Sequence, residues 1–384
     1  MSARENGARE PIPFLDLKAE YREQREEVLA AIEAVLDAME LHNGPQMRTL
    51  EEEFARFCGA RHAVAVGSGT DALLLIYAAL GLGAGDEVIV PSHTFIATVA
   101  PLAFLGATPV FVDIDPLTFA VDPELVEAAI TPRTKAIVPV HLYGHPASMS
   151  RIQQIARRHG LAVIEDACQA VGARYQGRPV GSLGDAAAFS FVFTKNLKGY
   201  GDGGMVTTDR DDLAEQVRRL RDHGRVSKYQ YAEFGLNCRM DELQAAIVRV
   251  ALRRIEARTE RRRQIARRYT EAFQGLPLAL PQELESTRHV YHLYVVRSER
   301  RDDLAAYLNA AGIATGVHYP IPCHLQEPCR EYGVGPGSLP ETERAAREIL
   351  SLPVYPELTD EQVSRIINDV RTFAGSEATV RAVA

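Results

Sequence analysis

Apolar residues recur at helical spacing between Asp16 and Met39, at Leu17, Val28, Leu29, Ile32, Val35 and Leu36, and Asn43-Gly44-Pro45 reads as the stop that closes this first helix. Short apolar runs of strand length then alternate with helical ones. The strand-like runs are His62 to Val66, Glu87 to Val90, Pro109 to Val112, Ala136 to Val140 and Ala162 to Glu165. Between them, Thr70 to Leu80, Phe95 to Leu105, Pro123 to Ile130 and Ser150 to His159 carry the helical pattern. A strand that is apolar at consecutive positions is buried on both faces, so the alternation predicts an α/β fold with a mostly parallel sheet covered by helices on both sides.

The pattern changes after Gly204. Met205 to Thr208 reads as a short strand, Leu213 to Arg221 as a helix, and Met240 to Phe273 as one very long helix able to bridge two units. Shorter segments follow: a strand at Tyr291 to Val296, helices near Asp302 to Ala311, Glu341 to Leu350 and Asp360 to Phe373, and a Pro-rich loop from Tyr319 to Pro328. This predicts a tail over 1–12, a large domain over 13–250 and a smaller α+β domain over 251–384.

Composition narrows the class. The 384 residues carry a net charge of −8, which argues against a nucleic-acid partner, because contact with phosphates needs a basic surface. The one basic stretch, Arg253 to Arg268, is interrupted by Glu256 and Glu260 and reads as a solvated helix face. No apolar run reaches the roughly 18 residues of a membrane span, and Met1 to Arg9 lacks the apolar centre of a secretory signal, so no membrane partner and a cytoplasmic location are expected. Cys58, Cys168, Cys238, Cys323 and Cys329 are odd in number and scattered, which predicts reduced thiols and no zinc site.

The chemistry concentrates around Lys195. An apolar strand ends at Asp166, and an apolar run from Ala186 leads through Ser190 to Lys195, after which Gly199-Tyr200-Gly201-Asp202-Gly203-Gly204 precludes an ordinary helix. A lysine on a tight connection between buried elements, with a strand-end carboxylate and a nearby serine, matches what a pyridoxal phosphate site needs. Its amine can condense with the cofactor aldehyde, the carboxylate can hold the pyridine nitrogen protonated, and the hydroxyl can bond the phosphate. Gly67-Ser68-Gly69-Thr70-Asp71, between a strand and a helix, is a turn whose amides can cradle that phosphate.

Other positions admit two readings. Phe95 can stack on a planar cofactor or fill the core. Gln169 can touch the ring edge or sit in a solvated loop, and Tyr319 and His324 can contact substrate or lie on a loop surface. His141 and His145 have the spacing of a helical metal pair, but they follow a strand and flank Gly144, so no metal is expected.

Taken together these residues resemble the nucleotide-sugar aminotransferases, the DegT/StrS group of the aspartate aminotransferase superfamily, from Ile12 to about Phe373. The likeness extends to Ile12-Pro13-Phe14-Leu15-Asp16-Leu17, Gly85-Asp86-Glu87-Val88-Ile89-Val90-Pro91, Val140-His141-Leu142-Tyr143-Gly144 and Lys195-Asn196-Leu197 with Gly201-Asp202-Gly203-Gly204. It implies the PLP fold type I. It also implies Lys195 as the cofactor-bearing amine and proton carrier, Asp166 on the pyridine nitrogen, Gln169 near the ring oxygen and Phe95 on the ring face. Phosphate contacts are implied at Gly69, Thr70, Asp71 and Ser190. The resemblance further implies a homodimer in which Asn237 reaches the partner's phosphate and Arg239 faces substrate. The sequence departs from the common family pattern at Phe193-Thr194, where a Pro-Gly pair is usual, and at Cys168, where Ala is usual.

The activity so implied moves an amino group from L-glutamate to a keto group of a nucleotide-linked deoxysugar. The overall likeness, including His318-Tyr319-Pro320, points to C3 of a dTDP-3-keto-6-deoxyhexose in antibiotic-sugar biosynthesis. A C4-keto sugar or an aminocyclitol ketone would use the same site, and a non-catalytic regulatory protein on the same scaffold is the reading from another class.

Overall fold

A computed structural model describes residues 10–381, with side chains placed as far as residue 375. Asp16 caps the first helix, α1 (Leu17–Ala38), by accepting from the Ala19 amide at 2.9 Å. Met39, in the left-handed region at φ 51°, ends it. Asn43-Gly44-Pro45 is therefore not its stop: Pro45 opens a second helix, α2 (Pro45–Cys58), whose Met47, Leu50, Phe54 and Cys58 recur at helical spacing and are buried. Proline is suited to that first position because its missing N–H would have no partner there. The amides of Gly44, Gln46 and Met47 instead donate to the Glu242 carboxylate at 2.7–3.1 Å, a cap supplied from some two hundred residues away.

Seven strands form the main sheet: β1 (His62–Val66), β2 (Glu87–Pro91), β3 (Thr108–Val112), β4 (Thr134–Ile137), β5 (Ala162–Asp166), β6 (Ala186–Ser190) and β7 (Gly204–Thr208). Their spatial order is β1-β7-β6-β5-β4-β2-β3, and only β7 runs antiparallel to its neighbours. The predicted α/β architecture is thus present. Side chains alternate between two cores: Ala187 and Phe189 of β6 join Phe54, Ile152 and Val248 on one face, while Ala186 and Ala188 join Leu73, Ile76 and Leu213 on the other.

On the first face lie α2, α4 (Met149–His159) and α6 (Glu242–Leu252), and on the second lie α3 (Gly69–Ala79) and α5 (Asp211–Leu220). The single long helix expected from Met240 to Phe273 is two, α6 and α7 (Ile255–Phe273), separated at Arg253 and Arg254. The break has a packing reason. Ile247 and Val250 of α6 bury against Val28 of α1, whereas Ile265, Tyr269 and Phe273 of α7 enter a third core, so the two helices serve different clusters. That third core surrounds a two-stranded antiparallel sheet, β8 (Tyr294–Arg297) with β9 (Ile349–Leu352), and takes in α8 (Arg301–Ala310) and α9 (Asp360–Arg381).

Because the parallel strands share a direction, their C-terminal ends reach one edge of the sheet, where ligands bind in open α/β folds. Val66, Asp166 and Ser190 end their strands there, and Gly204 of β7 pairs with both Val66 and Ser190. A Cβ on Gly204 would lie 2.3 Å from the Ser68 carbonyl oxygen, so the close approach of the glycine turn to this edge requires glycine.

Candidate active site

A cavity of about 310 Å³ opens at this edge, and Gly69, Thr70, Phe95, Asp166, Gln169, Ser190, Lys195 and Tyr319 all line it. At its helical end, Ser68 caps α3 by accepting from the Asp71 amide at 3.0 Å. That amide is engaged, which leaves those of Gly69 and Thr70, in the first helical turn, without a carbonyl one turn earlier to reach. A Cβ on Gly69 would fall 2.7 Å from Ser190 Cβ and 2.9 Å from Cys168 Sγ. Glycine here keeps the hollow between turn and strand end open.

Asp166 is buried, and both carboxylate oxygens are occupied: Oδ2 accepts from Thr98 Oγ1 at 2.8 Å and Oδ1 from the Cys168 amide at 3.1 Å. Gln169 is buried too, its carbonyl accepting from the Tyr143 amide at 2.8 Å and its amide donating to Tyr319 Oη at 3.2 Å. The Tyr319 ring lies 5.5 Å from that of Phe95, which is half exposed at the cavity mouth. Lys195 follows a turn closed by its own amide on the Val192 carbonyl at 2.9 Å. Burial pushes its amine below the ordinary lysine range, against the opposing pull of the Cys168 thiol and Asp166. Burial likewise pushes the Cys168 thiol well up, and the Asp166 charge adds to it.

Lys195 also faces a second, outer cavity of about 430 Å³, shared with Phe14, Arg262, His292, His318 and Tyr319. Its nitrogen-bearing side chains are restrained. Arg262 donates to the carbonyls of Tyr291, His292 and Val354, and burial followed by the charge of Arg258 pulls it down to about 10. His318 binds Ser351 Oγ through Nδ1 at 2.9 Å, and burial, then Lys195, lowers it to about 4. His292 is lowered well below the usual range for the same two causes, taken in the same order.

Four expected residues lie elsewhere, one of them Asp71, which lines neither cavity and whose amide is held by Ser68. His324 is fully buried, with Nδ1 2.6 Å from Ser92 Oγ and the Phe111 ring beside it, so it supports the loop and has no face toward either cavity. Arg239 ion-pairs with Asp222, and Asn237 is exposed outside the lining of both cavities of its own chain. His141 is buried between Glu165 at 3.0 Å and the Ala147 amide at 3.0 Å, and no group of metal ligands occurs among the described residues.

Thr98, Tyr143, His292, His318, Phe14 and Arg262 were not singled out from the sequence. His318 stood in the quoted His318-Tyr319-Pro320 block and could have been found there. Thr98 carries no such signal.

The residues fit pyridoxal phosphate: an aldehyde-reactive amine of lowered basicity, a buried carboxylate for a ring nitrogen, and an open hollow with a helix N-terminus and a serine for a phosphate. Comparison with known proteins points to the same cofactor. The profile of the DegT/DnrJ/EryC1/StrS aminotransferase family matches residues 22–371. The dTDP-3-amino-3,4,6-trideoxy-alpha-D-glucose transaminase of Streptomyces venezuelae is 49% identical over 364 residues, covering 94% of this chain and 96% of that protein. A pleiotropic regulatory protein of Geobacillus stearothermophilus is 46% identical over 365 residues, covering 94% of this chain and 98% of that one. Among solved structures, DesV of S. venezuelae superposes with a TM-score of 0.94 at 48% identity, over 95% of this chain and 99% of the other. The ntda protein of Bacillus subtilis, with bound cofactor pmp, superposes at 0.89 with 35% identity, over 96% and 86%.

Proposed function

The chain belongs to the DegT/DnrJ/EryC1/StrS aminotransferase family, and from that premise we propose that it transfers an amino group from L-glutamate to C3 of a nucleotide-linked 3-keto-6-deoxyhexose in amino-sugar biosynthesis. The observation that carries the proposal is the meeting of Lys195, Asp166, Ser190 and the Gly69 turn around one cavity. Pyridoxal phosphate bound there supplies an aldehyde and a ring that accepts electrons.

Each protein group then has one task. The Gly69 and Thr70 amides and the Ser190 hydroxyl bind the phosphate, and Asp166 holds a proton at the ring nitrogen. Lys195 Nζ, its basicity lowered by burial, carries a proton to and from the substrate carbon. Phe95 and Tyr319 wall the ring from water, and the outer cavity admits the sugar. The reading divides the chain into a cofactor-binding unit over 13–250 and a smaller unit over 251–384. No described helix is long and apolar enough to cross a membrane, which accords with a cytoplasmic enzyme.

A homodimer completes this proposal. Tyr229, Tyr231 and Phe234 stand in solvent on the segment leading to Asn237, Phe234 with 102% relative exposure, an apolar surface that a second copy would cover. Asn237 would then reach the partner's phosphate. A mixed dimer of Lys195→Ala with Asn237→Asp tests this: sharing across subunits leaves one site intact, and about half the parent activity returns. A dead mixed dimer would refute the sharing.

The relative named a regulatory protein raises the non-catalytic reading. The decisive assay incubates purified protein with pyridoxal phosphate, L-glutamate and a dTDP-3-keto-6-deoxyhexose, and follows the amino sugar by mass spectrometry. Formation of 2-oxoglutarate without amination of that sugar, but with amination of a 4-keto sugar or a cyclitol ketone, would move the acceptor. No amino transfer to any of them would support the regulatory reading.

A further inference from the structure

Beside the Asp166 carboxylate, in the wall of the inner cavity, lies a buried pair of hydroxyls. Thr98 Oγ1 is 2.8 Å from Asp166 Oδ2, and Thr94 Oγ1 is 2.8 Å from Thr98 Oγ1. Thr98 is fully buried and Thr94 nearly so. The backbone fixes Thr98 as well: its amide donates to the Phe95 carbonyl at 3.0 Å, and its carbonyl accepts from Tyr77 Oη at 3.1 Å. The short 3₁₀ turn Ile96–Thr98 therefore holds this hydroxyl against the carboxylate.

Geometry alone leaves the Thr94–Thr98 bond without a direction, but the carboxylate supplies one. An ionised carboxyl only accepts, so Thr98 must give its single proton to Asp166, and Thr94 must give its own to Thr98. With the Cys168 amide on Oδ1, each carboxylate oxygen receives one donor. Donors on a carboxylate stabilise its charged form and make it a weaker base. A weaker base opposite a pyridine nitrogen leaves the proton on the nitrogen; a stronger one draws it onto the oxygen.

We propose that Thr98, backed by Thr94, is a positioning residue that holds the Asp166 carboxylate as an acceptor, so that the proton shared with the cofactor ring resides on the ring nitrogen. The proposal rests on the pyridoxal phosphate assignment. It gives a role to a pair of hydroxyls that a purely packing function would not need, since valine fills the same volume as threonine.

Holoenzyme reconstituted with pyridoxal phosphate labelled with ¹⁵N in the ring tests it, because the nitrogen chemical shift reports whether that atom is protonated. The unaltered protein should show a protonated nitrogen. In Thr98→Val the shift should move toward the unprotonated value and turnover should fall about tenfold or more, the factor that one hydrogen bond to a charged group carries. Thr98→Ser, which restores the hydroxyl, should recover both.

A Thr98→Val holoenzyme with the parent's nitrogen shift would overturn the proposal, whatever its activity. Should Thr98→Val fail to fold or to hold cofactor, Thr94→Val removes only the backing donor. It should move the shift the same way by a smaller amount, and an unchanged shift there also overturns the proposal. Failure of the unaltered protein to bind pyridoxal phosphate is a separate result, which would sink the assignment of the site itself.

Discussion

The two cavities that meet at Lys195 are built in opposite ways. The inner one is made from strand ends and the turns that directly follow them: Gly69 after β1, Phe95 and Thr98 after β2, Asp166 at the end of β5 and Ser190 at the end of β6. The outer one draws Phe14, Arg262, His292, His318 and Val354 from stretches of chain far apart in sequence, with Val354 in the third core and Phe14 packed against a separate cluster around Leu293 and Val295. Arg262 and His318 there are held by backbone carbonyls and by the Ser351 hydroxyl of β9, whereas the inner carboxylate is held by donors from the turns that follow β2 and its own strand. The contrast separates chemistry from recognition. Strand-end geometry fixes the cofactor groups, and the surrounding assembly shapes what approaches them.

The largest effect should come from the residue the two cavities share. Lys195→Ala should lower turnover by about a thousandfold or more, since a positioned acid–base group contributes on that scale, while the protein stays folded. Retention of noncovalent pyridoxal phosphate, seen by absorbance after gel filtration, would show that the inner cavity is intact without the amine. Parent-like turnover in this variant would dissolve the distinction between the two cavities.

Asp166→Asn confines the lesion to the inner cavity. It preserves shape but removes the charge that favours a protonated ring nitrogen, an effect of about 10- to 1000-fold on that protonation. Turnover should fall by a similar factor while cofactor occupancy changes little. An equal loss of both would make Asp166 a structural residue.

A smaller effect should expose the outer cavity through stability. His318 is lowered to about 4 and His292 well below the ordinary 6.5, and behind Tyr143 burial brings His93 to about 4. Each folded value lies beneath the unfolded one, so the unfolded chain takes up protons that the folded chain refuses as pH drops below 6.5. Stability is therefore full above that pH and is lost on descent toward 4, by about 1.4 kcal/mol per pH unit for each such group. Urea unfolding of the holoenzyme at a fixed protein concentration, repeated between pH 7.5 and 5, should show the midpoint falling, and His318→Asn should flatten the slope. A pH-independent midpoint would contradict the buried neutral histidines.

The same division marks what could be read from the sequence. Asp166, Ser190, Lys195 and the Gly69 turn were legible because a continuous apolar run announces its own end, and the residue at that end is placed by the sheet. Tyr319 and His324, five positions apart in one Pro-rich loop, looked alike; the first lines both cavities and the second is buried on Ser92. Nothing local distinguishes them, since the choice depends on which side of the loop meets β2. Helix α2 was missed although Met47, Leu50, Phe54 and Cys58 recur at helical spacing, because Asn43-Gly44-Pro45 reads equally as the end of one helix and the start of the next. The break at Arg253 and Arg254 was missed because it answers to two separate cores.

The most direct test asks where the cofactor is held and whether an amino donor releases it. Purified holoenzyme would be treated with borohydride, digested and mapped by mass spectrometry, once as isolated and once after L-glutamate in excess. The account predicts a pyridoxyl adduct on Lys195 in the first sample and its disappearance in the second. An adduct on another lysine, or one on Lys195 that L-glutamate leaves untouched, would contradict it.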